Sequence, residues 1–185
     1  ISKYIFTTRK FRDTSAWYHI VVAVDTEQGT AADRVKLYVN GVQEGNLIKG
    51  DGGAATYPDQ NADLDINTQN VINIGRDLET SSNFFDGYIS HFSFVDGQQL
   101  TPTSFGTTDS TSGIWKFKAP SATWGTNGFH LKFENAGALG TDSSGNSNTF
   151  TVNGNLKQSP DTPSNGFATW NFLSSPSNGN IGDVT

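Results

Sequence analysis

Apolar residues recur at every second position along most of this chain. In "WYHIVVAVD" (17–25), Tyr18, Ile20, Val22 and Val24 fall on one face, with Trp17, Val21 and Ala23 on the other. With both faces apolar, the pattern predicts a central strand. "FHLKFE" (129–134) alternates most cleanly, with Phe129, Leu131 and Phe133 inward and His130, Lys132 and Glu134 outward. "FDGYISHFSFVDG" (85–97) groups Tyr88, Phe92 and Phe94 on one face and Ile89, His91 and Val95 on the opposite one. "YIFTTRKF" (4–11), "NVINIGR" (70–76), "GIWKFKA" (113–119) and "TFTVNG" (149–154) predict shorter strands. "RVKLYVNGVQEG" (34–45) predicts a hairpin, because Asn40 and Gly41 both tolerate the positive φ of a two-residue type I′ turn.

Segments rich in Gly, Ser, Thr, Asn and Asp separate these runs, as turns require. One helical turn is predicted at "LTPTSFG" (100–106), with Thr101 as cap, Pro102 at the first position and Gly106 closing it in a left-handed conformation. Short alternating strands and dense turns predict an all-β fold, an antiparallel two-sheet β-sandwich. The longest irregular stretch is "GDGGAATYPDQNADLDINTQN" (50–70), a length that belongs to functional or disordered loops. The segment 155–185 has few aliphatic residues, yet it holds Trp170 and Phe172, so it is read as a linker or an extended arm docked on a neighbour.

Composition narrows the function classes. The 185 residues suffice for a core without staples, and none can be a disulfide because cysteine is absent. Thiol nucleophiles and thiolate metal sites go with it. The net charge is −6, and the 12 Lys and Arg residues are scattered, which argues against binding nucleic acid through its phosphates. No apolar run approaches the roughly 18 residues of a spanning helix, so no membrane partner is expected. Methionine is also absent and Ile1 lies in a strand-like pattern, so the chain is expected to be a piece of a longer polypeptide.

The motifs "AWYHIVVAVD", "DRVKLYVNGVQEG", "IGR" and "NFFDGYISHFSFVDGQQLTPTSF", in that order, resemble the second half of a concanavalin A-like sandwich of the laminin-G and pentraxin type. The segments "FVDGQQLTPTSFGTTDSTSGIWKFKA" and "GTNGFHLKFENAGALGTDSSGNSNTFTVNG", with "DTPSNGFATWN" after them, resemble a module of virion proteins from marine bacteriophages, cyanophages included. The resemblance implies a laminin-G-like sandwich over 1–118 that lacks its N-terminal strands. Residues 119–154 then complete the sandwich or open a second unit, and 155–185 form the linker or arm. It also implies a structural module on a tail fibre, spike or capsid appendage, extracellular on the virion surface. Its partners would be other virion proteins and a host-surface glycan, in a homo-oligomer. The alternative is a lectin-like module recognising host polysaccharide.

Candidate chemistry is sparse. Glucanases that share the fold carry their acid and nucleophile as spaced carboxylates on one strand. The nearest pattern here is Asp63, Asp65 and Asn67, in a loop and with an amide that can act neither as acid nor as base, so no enzyme is expected. Asp142, Ser144 and Asn146 in "DSSGN" offer the hard oxygen ligands that calcium takes, in a sequence that is also a good turn by itself. Asp59, Asp63 and Asp65 are a second such set. Tyr57, Phe84 and Trp124 are the rings in loop contexts and the candidates for stacking on sugars. His19, His91 and His130 fall on separate strands, where the satisfied strand histidine outweighs a zinc ligand.

Overall fold

The computed structural model describes residues 5–49, 52–67, 72–76 and 84–163. Among the described residues nine short strands run in chain order: β1 (Phe6–Thr7), β2 (Ile20–Val24), β3 (Val35–Val39), β4 (Val42–Gln43), β5 (Leu47–Ile48), β6 (Phe92–Phe94), β7 (Gly106–Thr108), β8 (Trp115–Phe117) and β9 (Phe129–Leu131). Every pairing is antiparallel: β1 with β5, β2 with β3 with β4, β6 with β9, and β7 with β8. The fold is therefore all-β, an antiparallel β-sandwich, and among the described residues the helical turns are 3-10 segments at Ala31–Asp33 and Pro102–Ser104.

The hairpin forms as its sequence dictates. Asn40 and Gly41 have φ of 49° and 81°, and Val39 faces Val42 across the turn. The register Ile20↔Val39, Val22↔Leu37 and Val24↔Val35 lines one face of the sheet with aliphatic side chains only. Gly41 has a second duty, because the indole of Trp115 lies where a Cβ would stand. Gly106 meets the other edge of the same ring, so Trp115 is laid across two glycines and couples β8 to the hairpin. Its Nε1 donates to Nδ1 of His19 at 3.0 Å. His19 is fixed in turn by Asn40, whose N–H donates to the His19 carbonyl and whose Oδ1 accepts the His19 N–H, both at 2.8 Å.

The densest part of the core is β9, in which all three residues are buried. On one side β9 pairs with β6. On the other a bridge joins Leu131 to Asp142. Phe129 meets Phe94 in a stacked contact and Phe150 edge-to-face at 4.7 Å. Gly140 takes the Phe150 N–H on its carbonyl at 2.8 Å.

Several expectations are corrected. Among the described residues β2 is an edge strand, and its Ile20 and Val22 are exposed. The run 85–97 is strand only over β6, because His91 at φ 53° turns the backbone out of extended geometry just before it. Residues 72–76 and 149–154 form no strand; the predicted 70–71 lie outside the described residues. Gly106 does not close the turn at 102–104 in a left-handed conformation but opens β7, and Thr101 makes no side-chain cap. His130, read as outward, is only 4% exposed, and β9 ends before Phe133, whose φ is 59°. The irregular stretch from 52 to 67 is stapled to residues 25–34: Arg34 Nη1 donates to the Pro58 carbonyl at 2.8 Å and Asn61 N–H to that of Thr26 at 2.9 Å. The arm is irregular and mostly exposed as far as residue 163; Trp170 and Phe172 lie outside the described residues.

Candidate functional site

The segment 84–91 leaves strand geometry, and with it the packing that alternation would impose. Its rings stand in water: Phe84 is 68% exposed, Tyr88 63% and Phe85 56%. Phe85 is anchored by its N–H to the Gly75 carbonyl at 2.9 Å, and its ring folds back over Gly87, where an added Cβ would meet it at 2.9 Å. The ring of Trp17 lies 6.3 Å from that of Tyr88, tilted by 50°. Trp17 Nε1 donates to Asp161 Oδ1 at 3.3 Å, so a residue of the arm closes one border of the strip. Exposed rings close in sequence, bordered by the Asp161 carboxylate, are chemically suited to a ligand with an apolar face and a rim of hydroxyl groups.

Of the three predicted rings, Phe84 is in this strip. Trp124 is half-buried and stacked on His130, with centroids 5.4 Å apart and planes within 19°. Tyr57 is half-buried in the loop 52–67. Sequence reasoning missed Phe85 and Tyr88 by assigning them to a strand; the interrupting Asp86-Gly87 pair was the available signal against one.

The histidines are brought together across strands. His91 Nδ1 lies 3.2 Å from His130 Nε2, one ring donating to the other. His91 stacks on Phe117 at 4.0 Å, while Trp124 covers His130. Burial pushes both imidazoles below their ordinary pKa. The Coulomb field of His91 adds to this at His130, and at both rings the field of Lys132 works in the same direction against that of Glu134. Burial likewise lowers His19.

The "DSSGN" loop is held by its own hydrogen bonds. Asp142 Oδ1 accepts the N–H groups of His130 and Ser144, each at 2.8 Å. Its Oδ2 accepts the Ser144 hydroxyl at 2.8 Å and the Asn148 N–H at 2.9 Å. Burial raises the Asp142 pKa, but these donors outweigh it and hold the carboxyl below its ordinary range. Asn146 donates its amide to the carbonyls of Gly125 and Gly128, and Asn148 donates to those of Thr126 and Gly128.

Asp63 and Asp65 are exposed, and Asn67 is engaged in packing loops together. It donates to Asp96 Oδ1 at 2.7 Å and accepts from the Asn127 amide at 2.9 Å. Among the described residues no group of three or more His, Cys, Asp and Glu is placed to hold a metal ion, and no helix is long and apolar enough to cross a membrane.

A search of the curated proteins finds no match, and neither does a search of the solved structures. A laminin-G family model, described as the concanavalin A-like lectin/glucanases superfamily, matches residues 2–104, more than half of the chain. The match takes in β1 to β6 and the strip at 84–88, and the all-antiparallel topology agrees with it. The chain belongs to the concanavalin A-like lectin/glucanase superfamily, as a laminin-G-like domain of the carbohydrate- or protein-binding kind.

Proposed function

We propose that the chain is a recognition module of a bacteriophage particle, displayed on a tail fibre, spike or capsid appendage, that holds host-surface polysaccharide on the strip of Trp17, Phe84, Phe85 and Tyr88. The observation that carries this reading is the exposure of Phe84, Phe85 and Tyr88, three rings within five residues. Aromatic rings grouped in water mark a contact surface, and a sugar ring supplies the C–H face they stack on. The resemblance of "FVDGQQLTPTSF" and the segments after it to marine phage virion modules supports the setting, outside the cell on the particle surface. Asp142 has a structural part in this reading: a calcium ion at Asp142, Ser144 and Asn146 would have to displace donors that already satisfy both carboxylate oxygens.

A second reading, a contact between virion subunits or between copies of this chain, is favoured by exposed Ile20 and Val22 on the edge strand β2. One pair of assays separates the two. The chain is tested for retention on immobilised bacterial lipopolysaccharides and capsular polysaccharides, and its sedimentation is followed with concentration. Retention that Tyr88→Ala abolishes, with sedimentation unchanged, supports recognition. Absence of retention, with self-association that Val22→Ser abolishes, supports the subunit contact instead.

A further inference from the structure

Beyond β9 the chain opens a cleft of about 180 Å³, lined by Lys132, Phe133, Glu134, Asn135, Thr141 and Ser143 among others. We propose that this cleft is a separate binding site for one hydroxylated, uncharged six-membered sugar ring. It lies outside the matched residues 2–104 and apart from the 84–88 strip, and it does not rest on the function proposed for that strip.

The backbone is the first argument. In an extended strand, three consecutive residues cannot line one cleft, because alternation sends the middle one to the opposite face. Phe133 escapes this by adopting φ 59°, a strained state for a bulky residue, which persists only where the surroundings impose it. What imposes it comes from the arm: Gln158 Nε2 donates to the carbonyls of Phe133 at 3.0 Å and Glu134 at 2.8 Å. The bend thus turns Lys132, Phe133 and Glu134 together onto the cleft wall.

The lining is the second argument. Its residues carry between them one aromatic ring, an ammonium, a carboxylate, a carboxamide and two hydroxyls. The Asn135 oxygen already accepts the Gly137 N–H, which leaves its amide hydrogens as donors. The Thr141 hydroxyl donates to the Ala138 carbonyl, so it meets a ligand as an acceptor. Ser143 engages the His130 carbonyl through its backbone, which leaves the hydroxyl for a ligand. Lys132 and Glu134 stand 3.9 Å apart and balance in charge, so the cleft favours neither an anion nor a cation. Its volume is below the roughly 300–1,000 Å³ of sites for larger small molecules and leaves room for a single ring.

The ¹⁵N-labelled chain would be titrated with the methyl glycosides of glucose, galactose, mannose and N-acetylglucosamine, to on the order of 100 mM, where a millimolar site is saturated. We expect one of them to shift the amide signals of Lys132, Asn135 and Ser143, with affinity about tenfold lower in Asn135→Ala and in Glu134→Gln. The Glu134→Gln substitution keeps the side-chain shape, so it still reads out if Asn135→Ala does not fold. No shift at the cleft with any glycoside overturns the proposal, as does a shift that neither variant weakens. Shifts confined to residues 84–88 overturn it too, while leaving the strip's proposed function standing.

Discussion

Two aromatic regions of this molecule have nearly the same composition and opposite fates. Around β9, Phe129, Phe150, Trp124 and Phe117 close on one another and on the His91–His130 pair, under loops tied down by Asp142, Asn146 and Asn148. Around residues 84–88, Phe84, Phe85 and Tyr88 stay open to water beside Trp17. Among the described residues, what separates them is the supply of hydrogen-bonding side chains that can hold a covering loop. The Asn and Asp side chains after β9 donate to and accept from the backbone of 125–130, so the loop stays down and Phe129 and His130 are buried beneath it. A hydrophobic pattern alone specifies neither outcome; the polar residues nearby decide it.

If the β9 region is the stability centre, substitutions there must be costly. Phe129→Ala empties a site enclosed by β6 and Phe150, and the expected loss is about 3–5 kcal/mol, read as a fall in the midpoint of denaturant unfolding. Asp142→Ala comes next. It strips partners from the N–H groups of His130, Ser144 and Asn148 at once, so we expect about 2–3 kcal/mol by the same measurement.

The pH dependence is smaller and tests the same closure. The folded-state pKa values of His19, His91 and His130 all lie below the ordinary 6.5 because of burial, so the unfolded chain takes up protons first as pH falls. Stability should be level above about pH 6.5 and decline below it. Asp142, with its folded-state pKa held down, adds a second decline only as pH falls below its unfolded value, near 4. Thermal unfolding followed from pH 8 to pH 3 checks both, and stability that rises between pH 6.5 and 5 would contradict histidine pKa values held down by burial.

The smallest expected effect belongs to the open strip. Phe84→Ala and Tyr88→Ala should each change stability by no more than about 0.5 kcal/mol, because these rings are already in water. A loss of several kcal/mol would show that the strip is core, as alternation had implied.

What sequence could show here follows the range of each interaction. The hairpin from Val35 to Gln43 was legible because strand alternation and the Asn40-Gly41 turn are both local. The β2–β3 register follows from matching their apolar faces. The Trp115–His19 bond was not legible, for it joins positions 96 residues apart, and neither was the placing of Trp115 over Gly41 and Gly106. The His91–His130 contact depends on the pairing of β6 with β9, 39 residues away, and on a left-handed His91 that propensity does not favour. Of the candidate site, Phe84 was identified by its loop context. Tyr88 was concealed by a pattern that reads as strand until the Asp86-Gly87 interruption and His91 are given their due.

The most direct test of the account is one double variant, Phe84→Ala with Tyr88→Ala, measured for polysaccharide retention and for thermal stability side by side. The account predicts retention lost with a melting temperature within a few degrees of the parent, since little buried surface is removed. Retention undiminished, or lost only together with the fold, would contradict it.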